Sequence, residues 1–560
     1  MKKTIIWSFS LIGICIFMIG ILSWIFWERT TDQTEPSTNQ QKYFAIVPHF
    51  AIQPKTIENF YQLLQTTYKI KKNEAINIVL ISPDHFNAST NNSDMLCEDT
   101  NNFCFQNTCM VAKKLPPTKT SGCLHKNRTK EHWLGAQFSF IKKIFPQAKI
   151  FPIVIKPRKF VYDTEIMNII SIYPFIGKTL VLASVDFSHY TDEDFARLHD
   201  KKSFYTLNNA SNIWEYTSLE VDCPSCLYMI NTLAQGNNQY PKLFLRDSSS
   251  SIVGKNLGTG NTSREFIYYT NNREQENWFT VAFFGDFIFD RQVSKTLSWN
   301  ESLNKQFARF FEKEDTNLSL LTFPHRKLFG IDFVWLNMET PVVKDKSLCQ
   351  SSGKEVKFCS STSILPYLKE LWFTLVNIAN NHSLDWGIAA LKESVQQFKN
   401  NKINYIWYIR SGPYFEQNYM YKTVIRGIKI ARQWFDFTIT PRYLFSGYCT
   451  RLQKNKNEGY INMVSVHRGT EYQTTHNAQQ ESLGKQLIDC GADSIIGHHP
   501  HVLQDIWRYK GKPIIYSLWN FLFDMKTPPE TKTWWYVLID YENNGEITLF
   551  TGTINASSYQ

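Results

Sequence analysis

Short apolar runs that end abruptly in polar, histidine-bearing turns recur along this chain of 560 residues. INIVLISPDHF (76–86) and KTLVLASVDFSHY (178–190) show the pattern in the first half, and INMVSVHRG and SIIGHHPHVLQ show it in the second. Amphipathic stretches lie between such runs, as in AALKESVQQFKN, where Leu391, Val395 and Phe398 share one helical face. Strands that alternate with helices predict an α/β fold, in which functional side chains gather at the strand ends.

The chain is too long for one ordinary core, so we expect two large domains. A polar break, NNREQEN, falls near 271–277 and separates a predicted domain at 43–270 from a second one at 278–556. Hydrophobic residues make up 43% of the chain, which is enough to build globular cores in both.

The beginning of the chain differs from the rest. Two lysines precede an apolar run from Ile5 to Trp27, which exceeds the roughly 20 residues needed to span a bilayer. The run ends in bulky side chains and lacks a small-residue cleavage site, so residues 1–29 are predicted to form an uncleaved, single-pass transmembrane helix. The lysines favour a cytoplasmic N-terminus, which would place the globular part outside the cytoplasm. Residues 30–42 are polar and are expected to form a flexible stalk.

Eleven cysteines agree with an extracytoplasmic location. Cysteines in the polar loops of exported proteins are more often disulfides than metal ligands. Sequence alone does not give the pairing of the loop cysteines, which are Cys97, Cys104, Cys109, Cys123, Cys349 and Cys359.

The net charge of +10 is scattered among acidic residues and carries no nucleic-acid-binding motif. A solvated basic surface is the favoured interpretation, and no nucleic-acid partner is expected. Attraction to an anionic membrane surface or to an anionic polymer is the remaining alternative. The oligomeric state cannot be read from the sequence.

Five strand-like runs of the second half end in side chains of the kinds that bind divalent metals. They end at Asp286, at Glu339, at Asn380, Asn381 and His382, at His467, and at His498, His499 and His501. Each tip alone is more often a polar turn. A set of carboxylate, amide and imidazole groups at five tips predicts a divalent metal site.

These tips lie in motifs that resemble a known family. GDFIFDR, NMETPV, ANNHSLDWG, SVHRGTEY, GADSIIGHHPHVLQ and KPIIYSLWNFLFD are similar, in order, to the CapA-type capsule-biosynthesis (poly-γ-glutamate) proteins, which are relatives of the calcineurin-like metallophosphoesterases. The resemblance covers about 278–556. It implies a four-layer α/β/β/α sandwich, in which two sheets are flanked by helices and metals lie at the strand tips.

The resemblance also implies roles for single residues. The implied ligands of a divalent metal (Mn, Fe or Zn) are Asp286, Glu339, Asn381, His467, His499 and His501. His382 becomes the catalytic residue, which contacts the scissile group and could protonate a leaving group. Asn520 is expected to bind at the same site, and His498 is the histidine that the family pattern does not need.

This chain departs from the family pattern at several positions. Arg468 follows His467 where relatives usually have His-Trp-Gly, and Trp519 precedes Asn520 where relatives usually have glycine. The Asp-x-His of the phosphoesterases is missing, because Phe287 and Ile288 follow Asp286. A phosphoesterase-like scaffold that binds metal or polymer without turnover therefore stays open beside an active hydrolase.

The first half has a second series of candidate residues. Pro-His, Ser-Pro-x-His, Glu-His and Asp-x-Ser-His occur in the order of the Memo-like family (AmmeMemoRadiSam system protein B in prokaryotes), whose α/β fold is related to the class III extradiol dioxygenases. The resemblance covers roughly 43–270. It implies an Fe, Cu or Zn site with the ligands His49, His85 and Cys223, and a cleft lined by His132, Asp186 and His189. Asp222 and Cys226 are rivals of Cys223, and Cys223 and Cys226 could instead form a disulfide.

Together these features predict a membrane-anchored, extracytoplasmic metal-binding protein of capsule or cell-envelope polymer synthesis. The second domain is expected to be a metal-dependent hydrolase or transferase that acts on an anionic polymer or a phosphoester. The alternatives are a non-catalytic binding module and a redox or metal-handling protein centred on the Memo-like half.

Overall fold

The structure is a computed structural model. It describes residues 41–555 apart from 85–92, 97–98, 106–107, 119–120, 125–134, 158–162, 192, 211–212, 218, 256, 274–277, 291–330, 350–356, 371–372, 374, 409–416, 419, 437–444, 524–532 and 543–544. The chain divides into two compact units, residues 1–184 and residues 185–560. The domain limits expected from the sequence remain predictions.

One part of the fold prediction is corrected. Among the residues that the structure describes, no helix is both long enough and apolar enough to cross a membrane. The longest described helix, Glu193–Asn209, has 17 residues and carries several charged side chains. The predicted transmembrane helix is therefore not found, and the fold prediction is reduced to its α/β part. Residues 1–29, on which the anchor prediction depended, and the stalk up to residue 40 lie outside the described residues.

The described part of the first unit contains eight strands and three helices. The strands are β1 Lys42–Val47, β2 Asn77–Pro83, β3 Ser93–Leu96, β4 Thr100–Phe105, β5 Thr108–Ala112, β6 Ser121–Leu124, β7 Lys149–Ile155 and β8 Thr179–Ser184, and the helices are α1 Pro54–Thr67, α2 Phe138–Ile144 and α3 Asp163–Ile172. Strands β5, β7, β2, β8 and β1 lie side by side in that order and run parallel.

The sequence explains why these strands are parallel. Every residue of β2 and of β8 is buried, and both strands are continuous apolar runs without polar alternation. Strands that are covered on both faces have this composition, because crossover helices pack on each side of a parallel sheet. Helix α1 begins with Pro54 in its first turn and buries Ile57, Phe60 and Leu64 on one face.

The second unit begins with a helical segment and a β-hairpin. Its first elements are α4 Glu193–Asn209, α5 Pro224–Gly236, β9 Tyr240–Ser248, α6 Ser249–Val253 and β10 Ser263–Thr270. Strands β9 and β10 are antiparallel. On α4, Glu193 and Asp200 both accept hydrogen bonds from Arg246 of β9, and Asp200 also accepts one from Ser263 of β10.

The rest of the second unit contains two further main sheets. The remaining strands are β11 Trp278–Phe287, β12 Phe333–Met338, β13 Val342–Val343, β14 Ser360–Ser361, β15 Leu375–Asn377, β16 Asn404–Tyr408, β17 Gln417–Asn418, β18 Met420–Ile425, β19 Ile428–Asp436, β20 Tyr460–His467, β21 Ser494–His498, β22 Ile506–Tyr509, β23 Lys512–Ile515, β24 Asn520–Leu522, β25 Thr533–Glu542 and β26 Ile547–Asn555. One sheet has the order β17-β16-β15-β12-β11-β25-β26, with β24 beside β11, and the other has the order β18-β19-β20-β21-β23-β22. Within the described residues, β13 pairs with β14 alone.

Four helices accompany these sheets: α7 Leu365–Glu370, α8 Gly387–Asn400, α9 Phe445–Asn457 and α10 Ala478–Asp489. Short 3-10 helices cover Ile213–Glu215, Gly258–Gly260, Lys346–Cys349 and Thr362–Ile364.

Three apolar clusters separate four layers of structure. Leu391 and Phe398 of α8 pack with Leu336 of the first sheet. Trp335 and Ile496 belong to a cluster between the two sheets. The third cluster joins the second sheet to its helices through Leu452, Val464, Leu483 and Ile495. The layers therefore run helix, sheet, sheet, helix, and the α/β prediction is confirmed.

Four disulfides occur among the described residues: Cys104–Cys109, Cys223–Cys226, Cys349–Cys359 and Cys449–Cys490. Two of them close loops that the sequence identified as cysteine-bearing. The bond between Cys449 on α9 and Cys490 at the end of α10 joins residues that are 41 positions apart, and no local pattern predicted it. Cys97 lies outside the described residues.

Candidate metal centre

The two sheets of the sandwich bring their strand tips together. Asp286 lies on β11 and Glu339 directly follows β12, so both belong to the first sheet. His467 ends β20 and His498 ends β21, so these belong to the second sheet. β11 and β12 are parallel, as are β20 and β21, and the carboxyl ends of parallel strands lie at one edge of a sheet.

Asp286 is fully buried and is held by groups from both sheets. Its Oδ1 accepts a hydrogen bond from Asn337 Nδ2 at 2.6 Å and lies 3.1 Å from His498 Nδ1. Its Oδ2 accepts the His499 backbone N–H at 3.1 Å and lies 3.4 Å from His501 Nδ1. Burial acts to raise the pKa of Asp286, but the hydrogen bond with His498 and the charges of the nearby histidines hold it below its usual range. The carboxylate is therefore ionised near neutral pH.

A chain of buried amides fixes the position of that carboxylate. Asn377 Nδ2 donates to Asn337 Oδ1 at 2.6 Å, and Asn337 in turn donates to Asp286. Asn380 Nδ2 also donates to Asn337 Oδ1 at 3.2 Å and to Met338 O at 2.9 Å. The sequence pointed to Asn380 only as a polar group at a strand tip, and Asn377 was not identified.

Glu339 belongs to two groups of residues that could each hold a metal ion. One group is Glu339, His467 and His499, and the other is Asp286, Glu339 and His501. In each group one ligand atom per residue lies within 4.8 Å of the others. Because Glu339 is common to both, the arrangement is that of two neighbouring cation positions with a shared carboxylate.

Unpartnered nitrogens support a fit to metal ions. His467 Nδ1 and His499 Nδ1 are buried and form no hydrogen bond among the described residues. Burial and the charge of His499 lower the pKa of His467 well below its usual value, and burial and the charge of His501 lower the pKa of His499. Neutral imidazoles beside the ionised Asp286 carboxylate are the protonation states that bind a divalent metal.

Asn381 and His382 lie at the same edge. Asn381 Oδ1 is 2.7 Å from His467 Nε2, which places the predicted amide ligand beside a predicted imidazole ligand. His382 Nδ1 is 2.9 Å from Asp385 Oδ2, and the His382 ring remains partly exposed. Asp385 lies in the same motif, but the sequence did not distinguish it from an ordinary polar residue in the turn before a helix.

Asn520 and His498 are placed around the ligand groups. Asn520 Oδ1 lies 2.8 Å from His501 Nδ1, so the residue predicted to bind at the site contacts a predicted ligand. His498 contacts Asp286 and belongs to neither candidate ligand group.

The backbone at the site adopts strained conformations. The φ angles of His499, His501 and Trp519 are 96°, 54° and 69°, in the left-handed region that favours glycine. Such strain concentrates at functional sites, where it aims side chains that regular strands would alternate. Glycine would adopt the φ of Trp519 without this strain.

The predicted residues of the first half are described only in part. His85 and His132 lie outside the described residues. His49 is buried after β1, and its Nδ1 is 3.4 Å from Ser184 Oγ. In the second unit, Asp222 Oδ2 accepts the Asp186 backbone N–H at 3.1 Å, and His189 Nδ1 is 3.2 Å from Thr262 Oγ1.

The cysteine predicted as a thiolate ligand is oxidised in this structure. Cys223 forms a disulfide with Cys226, and both side chains are fully buried. Cys223 is the N-cap of α5, where its sulfur accepts the Cys226 backbone N–H. A disulfide sulfur has no thiolate to offer a metal. Of the two rivals of Cys223, Asp222 is the one that keeps a ligand-type side chain.

Comparison with known proteins confirms both family resemblances. The sequence model described as "Bacterial capsule synthesis protein PGA_cap" matches residues 280–438 and 447–525, and the model described as "Memo-like protein" matches residues 25–256.

Two curated relatives match the C-terminal half. "Capsule biosynthesis protein CapA" of Bacillus anthracis is 31% identical over 279 residues, which are 46% of this chain and 63% of that protein. "PGA biosynthesis protein CapA" of Bacillus subtilis (strain 168) is 32% identical over 205 residues, which are 34% of this chain and 53% of that protein. The chain thus spans less than two thirds of the length of each.

Among solved structures, a hypothetical protein from Thermus thermophilus is 13% identical and aligns over 49% of this chain and 100% of its own, with a TM-score of 0.31. A TM-score this low supports no argument about the fold or the function.

Proposed function

We propose that this chain, which joins a Memo-like domain to a bacterial capsule synthesis (PGA_cap) domain, is a metal-dependent hydrolase or transferase of envelope-polymer synthesis. The CapA relatives support a role in capsule synthesis, since their names place them in capsule and PGA biosynthesis. The proposed substrate is an anionic envelope polymer or a phosphoester.

The observation that carries this proposal is the pair of ligand groups that share Glu339. When bound there, divalent ions such as Mn, Fe or Zn would activate a water molecule and clamp an anionic oxygen of the substrate. Glu339, His467 and His499 would hold one ion, and Asp286, Glu339 and His501 the other.

The residues of the chain itself supply the remaining chemistry. The Asn337 amide and the His498 ring keep Asp286 in place, so its oxygens are preorganised for a cation. His382 has one ring nitrogen committed to Asp385, which leaves Nε2 as the atom that could carry a proton to a leaving group.

An extracytoplasmic location is part of the proposal. Four disulfides among the described residues support it, because structural disulfides persist in oxidising compartments and are rare in the cytosol.

One observation favours a second candidate, a non-catalytic polymer-binding module. The position of the histidine in the phosphoesterase Asp-x-His is occupied by Ile288, which is fully buried in the apolar cluster between the first sheet and its helices. This position offers no ligand, so one of the two cations would have fewer protein ligands than in that pattern.

The proposal is tested by metal stoichiometry and turnover together. The protein is loaded with Mn²⁺ or Zn²⁺, and its metal content is measured beside its hydrolysis of bis(p-nitrophenyl) phosphate. Two equivalents are expected in the wild type. His467→Ala and His501→Ala should each retain one equivalent, and Glu339→Gln should retain neither, because it serves both positions.

His476→Ala is the matched control. Its ring is paired with Asp505 at 2.8 Å and belongs to neither ligand group, so metal content should not change. Full metal binding without turnover on any ester would favour the binding module. Equal metal content in the wild type and in Glu339→Gln would reject the metal-dependent enzyme.

A further inference from the structure

His382 is held from one side by a carboxylate that is not part of the ligand groups. The distance from its Nδ1 to Asp385 Oδ2 is 2.9 Å. A carboxylate accepts hydrogen bonds, so Nδ1 is the ring nitrogen placed to donate one to Asp385. Among the described residues no hydrogen bond involves Nε2, which is therefore the nitrogen left to act on a ligand.

The same carboxylate oxygen also holds a second segment of the chain. Asp385 Oδ2 accepts the Phe358 backbone N–H at 2.9 Å, and the neighbouring Trp386 Nε1 donates to Phe358 O at 2.8 Å. The Phe358 ring lies 4.5 Å from the His382 ring and 5.5 Å from the ring of Phe523. Phe358 is thus attached to the His382 motif through its backbone and packs on the His382 ring through its side chain.

Hydrogen bonds to residues that follow β11 and a disulfide also hold the segment that carries Phe358. The Cys359 backbone N–H donates to Asp290 Oδ2 at 2.6 Å, and the Ser360 hydroxyl accepts the Phe289 N–H at 3.1 Å. Cys359 is also cross-linked to Cys349. Residues 357–360 therefore connect the residues that follow β11 to the His382 motif, and the Cys349–Cys359 disulfide lies beside them.

We propose that residues 357–360, called here the disulfide-closed wall, form a built side of the metal centre, and that Asp385 is the positioning residue that joins this wall to His382. Asp385 selects the ring nitrogen that faces the ligand, and Phe358 limits the rotation of the ring. The Cys349–Cys359 bond then serves the geometry of the site and not only the stability of a loop. This inference rests on the proposed function, since His382 is given its task there.

The first test is spectroscopic and needs no turnover. The side chains of the histidines are labelled with ¹⁵N, and the His382 resonances are assigned by loss in His382→Gln. In the wild type the neutral ring should be protonated on Nδ1. In Asp385→Asn the amide can donate to Nδ1, so the proton should move to Nε2. Glu393→Gln is the matched control, because Glu393 also accepts a backbone N–H but contacts Lys344 outside the site.

The second test uses two esters of unequal leaving group. Diphenyl phosphate needs protonation of its leaving oxygen, and bis(p-nitrophenyl) phosphate does not. Asp385→Asn should lower kcat on diphenyl phosphate by about 100-fold or more and change kcat on bis(p-nitrophenyl) phosphate by only about threefold, with KM nearly constant for both.

The third test removes the covalent closure. Cys349→Ser with Cys359→Ser should reproduce the selective loss on diphenyl phosphate and broaden the His382 resonances. Cys449→Ser with Cys490→Ser removes the disulfide between α9 and α10 and should leave both esters and the His382 resonances unchanged.

The outcomes separate this inference from the proposed function. An unchanged His382 tautomer in Asp385→Asn, or equal losses on both esters, overturns the inference. If the wild type hydrolyses neither ester, the proposed hydrolase activity fails, and the ¹⁵N result alone decides whether Asp385 positions His382.

Discussion

Two glycines beside the candidate metal centre pack against the backbone of the segment that links β23 to β24. Gly497 of β21 packs so closely on the chain that a Cβ atom there would lie 1.9 Å from the carbonyl oxygen of Tyr516. Gly285 of β11 is similar, since a Cβ atom would lie 2.2 Å from the carbonyl oxygen of Trp519. Each glycine stands next to a ligand-bearing tip, so close backbone contact and ligand placement depend on the same residues.

We expect Gly497→Ala to destabilise the protein by about 3 kcal/mol or more, because backbone atoms must move to admit the methyl group. Gly447→Ala is the control. Gly447 lies in α9 with only the flexible end of Arg451 near its Cβ position, so a gain of roughly 0.5 kcal/mol is expected from helix propensity. Urea unfolding of both variants measures the difference. Similar stabilities would contradict the close contact at Gly497.

Trp519 has a strained backbone, which destabilises the fold, and a buried side chain, which stabilises it. Its φ of 69° carries strain that glycine would relieve, while its side chain is 5% exposed and contributes buried apolar area. Loss of a buried tryptophan costs about 3–5 kcal/mol and the strain is on the order of 1–3 kcal/mol. Trp519→Gly should therefore lower the free energy of unfolding by about 2 kcal/mol. A rise in that free energy, measured by urea unfolding, would show that strain dominates.

At the scale of single elements, the sequence predicted the strands better than the contacts between them. Continuous apolar runs identified β2, β8, β20 and β21, because buried parallel strands have no polar alternation. The polar tips were identified in the same way. The sequence did not identify the amide chain through Asn377, because its partners come from other strands. It did not identify Asp385 either, because a polar residue in a turn leaves no periodic signal.

The histidines after β21 show the physical limit of such prediction. Regular alternation along a strand would place His499 and His501 on one face and His498 on the other. The φ of 96° at His499 breaks that alternation, so side-chain directions beyond His498 depend on backbone strain that the residue order does not encode. Only the family resemblance separated His498 from the ligands.

A partly buried carboxyl beside the hairpin of β18 and β19 makes stability depend on pH. Burial raises the pKa of Asp332 to about 6, although Arg426 and the hydrogen bond from the Thr280 backbone N–H act to lower it. The folded value lies above the unfolded one, about 3.9. Its contribution to stability is thus fully present below the unfolded pKa and is lost as the pH rises through about 6.

Asp332→Asn should remove that dependence. The free energy of unfolding of the wild type relative to Asp332→Asn should fall as the pH rises from about 4.5 to about 7.5, and urea titrations across this range measure it. Asp345→Asn, at a fully exposed carboxylate with a lowered pKa, should run parallel to the wild type over the same range. A constant difference between wild type and Asp332→Asn would contradict the raised pKa.

At the scale of the whole molecule, helix α4 is bound into the sandwich of its unit. Lys201 forms ion pairs with Asp540 and Glu542 of β25, and the pair with Glu542 measures 2.8 Å. Asp540 is fully buried and also accepts a hydrogen bond from the Thr280 hydroxyl at 3.1 Å. These ion pairs therefore stabilise the packing of α4 against the C-terminal strand β25. Sequence motifs alone did not indicate this contact.

We expect Lys201→Met to destabilise the protein by about 3–5 kcal/mol, because it leaves the buried Asp540 charge without its cation. Adding Asp540→Asn should recover part of that loss. Lys510→Met is the control, since its pair with Asp489 is exposed and should contribute little to stability. Guanidinium unfolding of these variants and the wild type measures the coupling, and strictly additive losses would argue against it.

The ligand groups draw on both sheets, and Asp286 and His499 are 213 residues apart in the chain. Neither group is complete before residue 499, because one needs Glu339 together with His499 and the other needs Glu339 together with His501. A growing chain thus lacks both candidate ligand groups until residue 499 has been made and both sheets have packed. Under the proposed function, an ion would enter only after the two sheets have packed, so metal supply would act on the folded domain and not on its early folding.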